Sequence, residues 1–270
     1  MDRQSAYEPR PREGYHGSDT TSRGRLWWRG VNRLLAVVMA GGRSERMRAS
    51  NGATHKALVE VAGVSLLERT IRRLLKRGIG DIVVVSSRND PRIAEVVRND
   101  FGKLARRHRA SLRSFIEAEP LGTVGAVALL AQEHTDMLVT YVDNVTSLDE
   151  TALLEKHRES RAVMTIATHV WLLANPFGEL KIANGFLRAY DEKPTREVRI
   201  CSGSFVVSPA AAAAVPRNRA CGTNELCELF LKRGLPIAVY CHDEPWVDVN
   251  DALGVREAER LVARHSERFS

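Results

Sequence analysis

Residues Ala40-Gly41-Gly42-Arg43-Ser44-Glu45-Arg46-Met47 join a glycine turn to cationic side chains directly after an apolar run, and Lys56 lies a short way downstream. Glycines let backbone N–H groups approach phosphate oxygens, and Arg43, Arg46 and Lys56 could neutralise a triphosphate. The spacing is neither G-x-x-x-x-G-K-[ST] nor G-x-G-x-x-G, so a Walker loop and a dinucleotide fingerprint are both excluded. Taken alone, Gly41-Gly42 would serve equally well as a plain chain reversal.

The elements that must hold this loop follow from the hydrophobic pattern. LLAVVMA from Leu34 is short, continuous and apolar, as expected of a strand covered on both sheet faces. Ser65 to Lys76 sets Leu66, Leu67, Ile71, Leu74 and Leu75 on one helical stripe, with Gly78 as the stop. DIVVVSS (Asp81 to Ser87) is a second buried strand, so a βαβ unit forms and its strands pair in parallel through a right-handed crossover. The alternation continues with a helix over 92–98, a strand over 111–116, a helix over 125–132 and a strand over 137–142 that ends at Asp143. A helix over 148–158 and a strand over 162–168 follow. ELKIANGFLRAYDE then alternates about Asn184-Gly185, a strong hairpin signal that marks an antiparallel insertion. Beyond it come a strand over 204–207, an Ala-rich helix from Pro209, a helix over 224–232, a strand over 237–240 and a final helix over 251–265. The expected fold is α/β: a Rossmann-like, doubly wound, mostly parallel sheet with a small antiparallel β insertion, and such sheets bind ligands at their carboxyl edge.

The chain has 270 residues, 44% hydrophobic and 27% charged, which suits a globular domain and excludes wholesale disorder or a fibre. Residues 1–33 hold seven arginines against four acids, +3 of the total +7, among Gly, Pro and Ser without periodicity, and read as a disordered basic tail. Only +4 remains for 34–270, which suits an anionic small molecule better than nucleic acid. No stretch approaches the ~20 apolar residues of a membrane span, and the N-terminus lacks the apolar core of a secretory signal, so a cytoplasmic protein without a membrane partner is expected. Cys201, Cys221, Cys227 and Cys241 match no common zinc spacing and are expected to be reduced and buried.

Five blocks in order give this chain a family look: LLAVVMAGGRSERM with Lys56-Ala57-Leu58-Val59, EAEPLGTVGA (Glu117 to Ala126), TYVDN (Thr140 to Asn144), YDEKP (Tyr190 to Pro194) with Gly203 after it, and EPWVDVND (Glu244 to Asp251). Over residues 34 to about 265 the sequence resembles the sugar-1-phosphate nucleotidyltransferases, closest in look to the mannose- and heptose-1-phosphate guanylyltransferases. The resemblance implies that residues 34–270 form a catalytic domain in which a sugar 1-phosphate oxygen attacks the α-phosphorus of a nucleoside triphosphate in line and pyrophosphate leaves. Positioning and charge neutralisation carry such a reaction, and no nucleophilic side chain is needed. By resemblance, Ala40, Gly41, Gly42, Arg43 and Arg46 hold the triphosphate with Lys56, while Leu121, Gly122 and Thr123 meet the nucleoside. Asp143 and Asp248 would hold Mg²⁺, Lys193 would meet the sugar's phosphate together with Asp143, and Glu192 and Gly203 would meet the sugar. Arg46, Lys56, Asp143 and Lys193 are thus the expected catalytic residues.

The sequence departs from the family in places. Ser44 replaces the third glycine of the first loop, Val142 precedes Asp143 where many members have Gly, and Val249-Asn250-Asp251 replaces the frequent G-T-P. In the family the residue at Glu117 faces the base, often as Gln. An ionised carboxylate only accepts, and guanine offers two adjacent donors to it, whereas uracil and thymine offer one donor flanked by acceptors. The reading therefore favours GTP. Thymidylyl, uridylyl or cytidylyl transfer to a sugar phosphate or phosphocholine, guanylyl transfer to the molybdenum cofactor, and a non-catalytic nucleotide- or RNA-binding module are the alternatives. A homo-oligomer is compatible with the sequence.

Overall fold

In the computed structural model the first strand, β1 (Leu34–Met39), turns Ala36 and Val38 into one hydrophobic core and Leu35 and Val37 into another. A strand can do this only when both faces of its sheet are covered, so the continuous apolar run of the sequence and its depth in the fold have one cause. The structure describes residues 34–42, 55–133, 135–217 and 219–269. The expected tail over 1–33 and the loop residues Arg43 and Arg46 lie outside them.

A short ribbon, β2 (Glu60–Val61) and β3 (Val64–Ser65), leads into the helix Leu66–Lys76. Ser65 Oγ caps that helix by accepting the Glu68 N–H at 3.2 Å, and Leu66, Leu67, Ile71, Leu74 and Leu75 are buried beneath it as their spacing requires. Next come β4 (Asp81–Ser87), β5 (Ser111–Glu117), β6 (Asp136–Tyr141) and a short β7 (Asn144–Thr146). The second half adds β8 (Met164–Ala174), the hairpin β9 (Glu179–Ala183) and β10 (Phe186–Asp191), then β11 (Thr195–Val207), β12 (Ile237–Cys241) and β13 (Trp246–Asp248). Seven strands form the main sheet in the order β12-β8-β11-β6-β1-β4-β5. All neighbouring pairs are parallel except the two that β11 makes with β6 and β8. This is the expected Rossmann-like α/β sheet with an antiparallel insertion.

Three differences from the sequence reading have physical causes. The strands expected over 162–168 and 204–207 run on as a long antiparallel pair, with Ala174 opposite Thr195. The extension is exposed, so no burial pattern announces it. The helix Phe101–Arg107 follows Arg92–Asn99 after a single residue, Asp100, and only Phe101 and Ala105 of it are buried, too few to set a period. The cysteines are free as expected, but Cys201 and Cys241 are exposed and only Cys221 is buried: Cys201 lines a cavity at the point where β11 leaves the core, and Cys241 ends β12, the edge strand of the sheet.

Candidate active site

The carboxyl ends of β1, β4, β5 and β6 converge, and Ala40, Gly41, Gly42, Lys56, Glu117, Gly122, Thr123 and Asp143 line one cavity there of about 280 Å³. Ala40 is fixed at the strand end by its N–H donating to Val85 O at 2.8 Å. A second, more open cavity of about 600 Å³ shares Thr123, Tyr141 and Asp143 with the first and adds Asn144, Gly203, Trp246 and Asp248. Asp143 stands at the junction.

The short ribbon β7–β13 builds that junction. Asn144 pairs with Asp248 across it, and Val249 N–H donates to Asp143 O at 2.9 Å, so both carboxylates come to one end of two paired segments. Lys56 Nζ donates to Asp143 Oδ2 at 2.8 Å and to Asn250 Oδ1 at 2.7 Å, and the Asn250 amide donates in turn to Asp248. The Asn144 amide donates to the other oxygen, Asp143 Oδ1, at 3.0 Å. The chain Asp143, Lys56, Asn250, Asp248 thus links a lysine side chain to two hard oxygen donors.

Among the described residues no group of three or more His, Cys, Asp or Glu gathers as for a metal site. Two carboxylates facing one cavity nevertheless fit Mg²⁺, which is commonly held by one or two carboxylates together with substrate phosphates.

Glu117 closes the other end of the first cavity. It is 5% exposed, its Oε1 is buried with no hydrogen-bond partner, and a Cβ on Gly41 would sit 3.3 Å from its Oε2. Burial pushes its carboxyl up to about 7, against the opposing effect of the Leu121 backbone N–H that donates to it. The loop carrying Leu121 is stitched to the segment before the helix Thr223–Lys232: Cys221 N–H donates to Leu121 O at 2.9 Å and Val124 N–H to Cys221 O at 3.1 Å. Gly122 there has φ +78°, and a Cβ would come within 2.6 Å of Cys221 O, so only glycine fits. Thr123 Oγ1 accepts the Thr223 N–H at 3.0 Å, and the Tyr141 hydroxyl meets Thr223 Oγ1. Burial pushes the Tyr141 phenol up.

Gly203 occupies a register shift in β11 with φ +78°, and a Cβ would overlap the Asn144 amide. Arg43 and Arg46 lie outside the described residues; of the other expected residues all line one or both of the two cavities except three, and one of these, Leu121, still reaches Glu117 through its N–H. Glu192 and Lys193 are exposed in the turn between β10 and β11 and line neither cavity. Asn144, Asn250, Tyr141, Thr223 and Trp246 were not singled out by the sequence reading. Asn144 and Asn250 lie inside the quoted TYVDN and EPWVDVND blocks, which is the signal that could have found them, whereas nothing in the periodicity around Thr223 marks it.

A family profile described as "Nucleotidyl transferase" matches residues 35–264. The chain is 27% identical over 258 residues to the bifunctional protein GlmU of Staphylococcus epidermidis, covering 87% of this chain and 54% of that protein. It is 26% identical over 195 residues to a valienol-1-phosphate guanylyltransferase of Streptomyces hygroscopicus subsp. limoneus, covering 60% of this chain and 51% of the relative. The chain thus spans about half the length of these curated relatives. A crystal structure described as a putative glucose-1-phosphate thymidylyltransferase from Bacillus anthracis superposes with a TM-score of 0.66 at 18% identity, covering 84% of this chain and 94% of the other. Among the described residues no helix is long and apolar enough to cross a membrane.

Proposed function

The chain belongs to the nucleotidyl transferase family, and from that premise we propose that it couples a sugar or cyclitol 1-phosphate to a nucleoside triphosphate, GTP by preference, forming a nucleoside diphosphate sugar and pyrophosphate. The observation that carries this reading is the Asp143, Lys56, Asn250, Asp248 chain at the junction of two adjoining cavities. An in-line transfer needs donor and acceptor phosphates to meet at one charged point between two pockets.

The first cavity takes the nucleotide. Backbone groups of Ala40, Gly41 and Gly42, with Lys56, Arg43 and Arg46, hold the triphosphate, and Leu121, Gly122 and Thr123 meet the nucleoside. Asp143 and Asp248 would hold Mg²⁺, which when bound would supply positive charge beside the phosphates. The second cavity takes the acceptor against Gly203, Asn144 and Trp246, while Glu192 and Lys193 stay outside its lining on the exposed turn between β10 and β11. An oxygen of the acceptor phosphate forms the new bond to the α-phosphorus as the bond to pyrophosphate breaks, and the ammonium of Lys56 follows the charge on the departing group.

Glu117 supports GTP. Its side chain lines the first cavity and is not tied up by another side chain among the described residues, and guanine N1–H with the 2-amino group supplies two donors to an ionised carboxylate. The name of the valienol-1-phosphate relative agrees with a guanylyl donor and a cyclitol acceptor. The protonated form of Glu117 both donates and accepts, as Gln does, and favours uridine or thymidine nucleotides instead.

Pyrophosphate release tests the proposal, with Mg²⁺ and each of GTP, ATP, CTP, UTP and dTTP against mannose-, glucose-, heptose- and cyclitol-1-phosphates. Release with GTP is the expected result. Release with another nucleotide keeps the reaction and discards the guanine argument, and silence across the panel favours a binding module on the same fold.

A further inference from the structure

Behind the β7–β13 ribbon, on the side of the helix Leu66–Lys76, lies a cavity of about 430 Å³ that the proposed reaction does not use. Six of its thirteen lining residues are cationic, namely Arg69, Arg72, Arg73, Lys76, Arg77 and Arg268, against three carboxylates. Four of the six fall at i, i+3, i+4 and i+7 of that one helix, which forces them onto a common face. Like charges at these spacings repel, so their collection on one face is a cost that the isolated helix does not recover.

Several of the cations are already used inside the protein. Arg73 pairs with the buried Glu150 at 2.6 Å, Arg77 with Asp149 at 3.4 Å, Arg268 with Glu244 at 2.5 Å, and Arg72 with Glu68 at 2.5 Å. Arg69 is different. It pairs with no carboxylate among the described residues, its Nη2 donates only to Val61 O at 2.6 Å, and its Nε is buried without a partner. Its guanidinium lies 6.0 Å from the centre of the Phe269 ring. Burial first, and Arg72 second, hold its pKa below the ordinary arginine value, so its charge is under-compensated where it stands.

We propose that this cavity is a second binding site, for a phosphate-bearing small molecule held by Arg69, Arg72 and Lys76. A guanidinium with a spare N–H edge suits phosphate, which takes two parallel hydrogen bonds from arginine and gains from every further cation nearby. Phe269 and Val64 supply an apolar wall for the remainder of such a ligand. The site is coupled by contact to the catalytic junction: Arg73 Nη1 donates to Thr146 O at 3.2 Å, Arg77 Nη2 to Ser147 O at 3.2 Å, and Ser147 N–H to Pro245 O at 3.2 Å. These anchors grip the two segments whose other ends carry Asn144 and Asp248.

Calorimetric titration of the full chain with pyrophosphate, in EDTA and at fixed salt, tests the site without turnover. The triple variant Arg43→Ala, Arg46→Ala, Lys56→Ala removes the three cations proposed for the catalytic cavity, and one equivalent of pyrophosphate is still expected to bind. Arg69→Gln, and separately Arg72→Gln with Lys76→Gln, are expected to weaken that binding at least tenfold; the second pair touches exposed side chains and keeps the test open should Arg69→Gln unfold. Parallel titrations with inorganic phosphate and GTP tell a bare phosphate site from one that takes a nucleotide. Absence of binding to the triple variant, or binding unchanged in both variants of the second binding site, overturns the proposal.

Discussion

The parallel half of the sheet and the antiparallel arm treat the same kind of residue in opposite ways. Along β1, β4 and β6 the apolar side chains are buried between helix layers, and Ile82, Val83, Val84 and Val85 have no exposure at all. Along the extension of β8 and β11 and the β9–β10 hairpin, Leu173 is 54% exposed, Ile182 65% and Phe186 68%. A sheet covered on both faces fixes the strand ends to the tolerance of core packing, and both cavities open at those ends. A two-stranded arm has no layer above or below it, and a lone ribbon is marginally stable in water. The residues expected at the site divide the same way: those for the nucleotide stand on the packed edge and line the cavities, while Glu192 and Lys193 stand on the arm and line neither. Function and stability should therefore both be concentrated in the parallel half, and the two halves should respond unequally to substitution.

The largest effect is expected at the junction. Asp143→Asn keeps the shape of the side chain and removes its charge, and turnover should fall by about 100-fold or more, the scale of one preorganised electrostatic group, with the thermal midpoint little changed. Undiminished pyrophosphate release would take Asp143 out of the catalytic group. In the core, Leu74 has no exposure and packs beneath β1, so Leu74→Ala should cost about 2–5 kcal/mol in denaturant unfolding. A smaller loss would mean that the helix layer yields and that the contrast between the halves is overstated.

Glu117 gives an intermediate effect. Glu117→Gln should reduce the preference for GTP over UTP by about tenfold, within the 1–3 kcal/mol typical of a bidentate base contact. The wild-type preference should also strengthen as the pH rises from 6 to 8, because the buried carboxyl titrates at about 7 and only its ionised form rejects the acceptors of uracil. Stability moves in the opposite direction. Between the ordinary value of 4.5 and about 7 the folded chain holds this proton more tightly than the unfolded one, so the contribution of Glu117 to stability falls as pH rises through 7. In Glu117→Gln both pH dependences should flatten, and a nucleotide profile that ignores pH in the wild type would end the carboxylate account of base reading.

The same division decided what could be read in advance. Buried strands announce themselves as apolar runs, so β4 was legible to the residue and β1 and β6 to within one residue at their ends, with the glycine turn and Asp143 following them. The hairpin was legible through Asn184-Gly185, whose positive φ angles of 53° and 81° are what such a turn demands. The length of β8 and β11 was not, because exposed strands are held by their partner's backbone and carry no burial pattern. Asn250 and Thr223 were missed for a related reason: their roles depend on side chains brought in from positions 56 and 123, and no local period encodes a long-range pairing.

The smallest effect, and the one that bears most directly on the contrast, is expected on the arm. Phe186 begins β10 with most of its ring in solvent, so little apolar area is withdrawn from water on folding and Phe186→Ser removes little packing. Unfolding should shift by no more than about 0.5 kcal/mol, the ordinary range for a surface position, and pyrophosphate release should keep its kcat. A cost near that of Leu74→Ala would mean that something covers this face in solution. Sedimentation of the wild type beside the variant separates the sources: a drop in mass on substitution points to a second copy of the chain over the arm, whereas an unchanged monomer with lost stability would place Phe186 in the chain's own core.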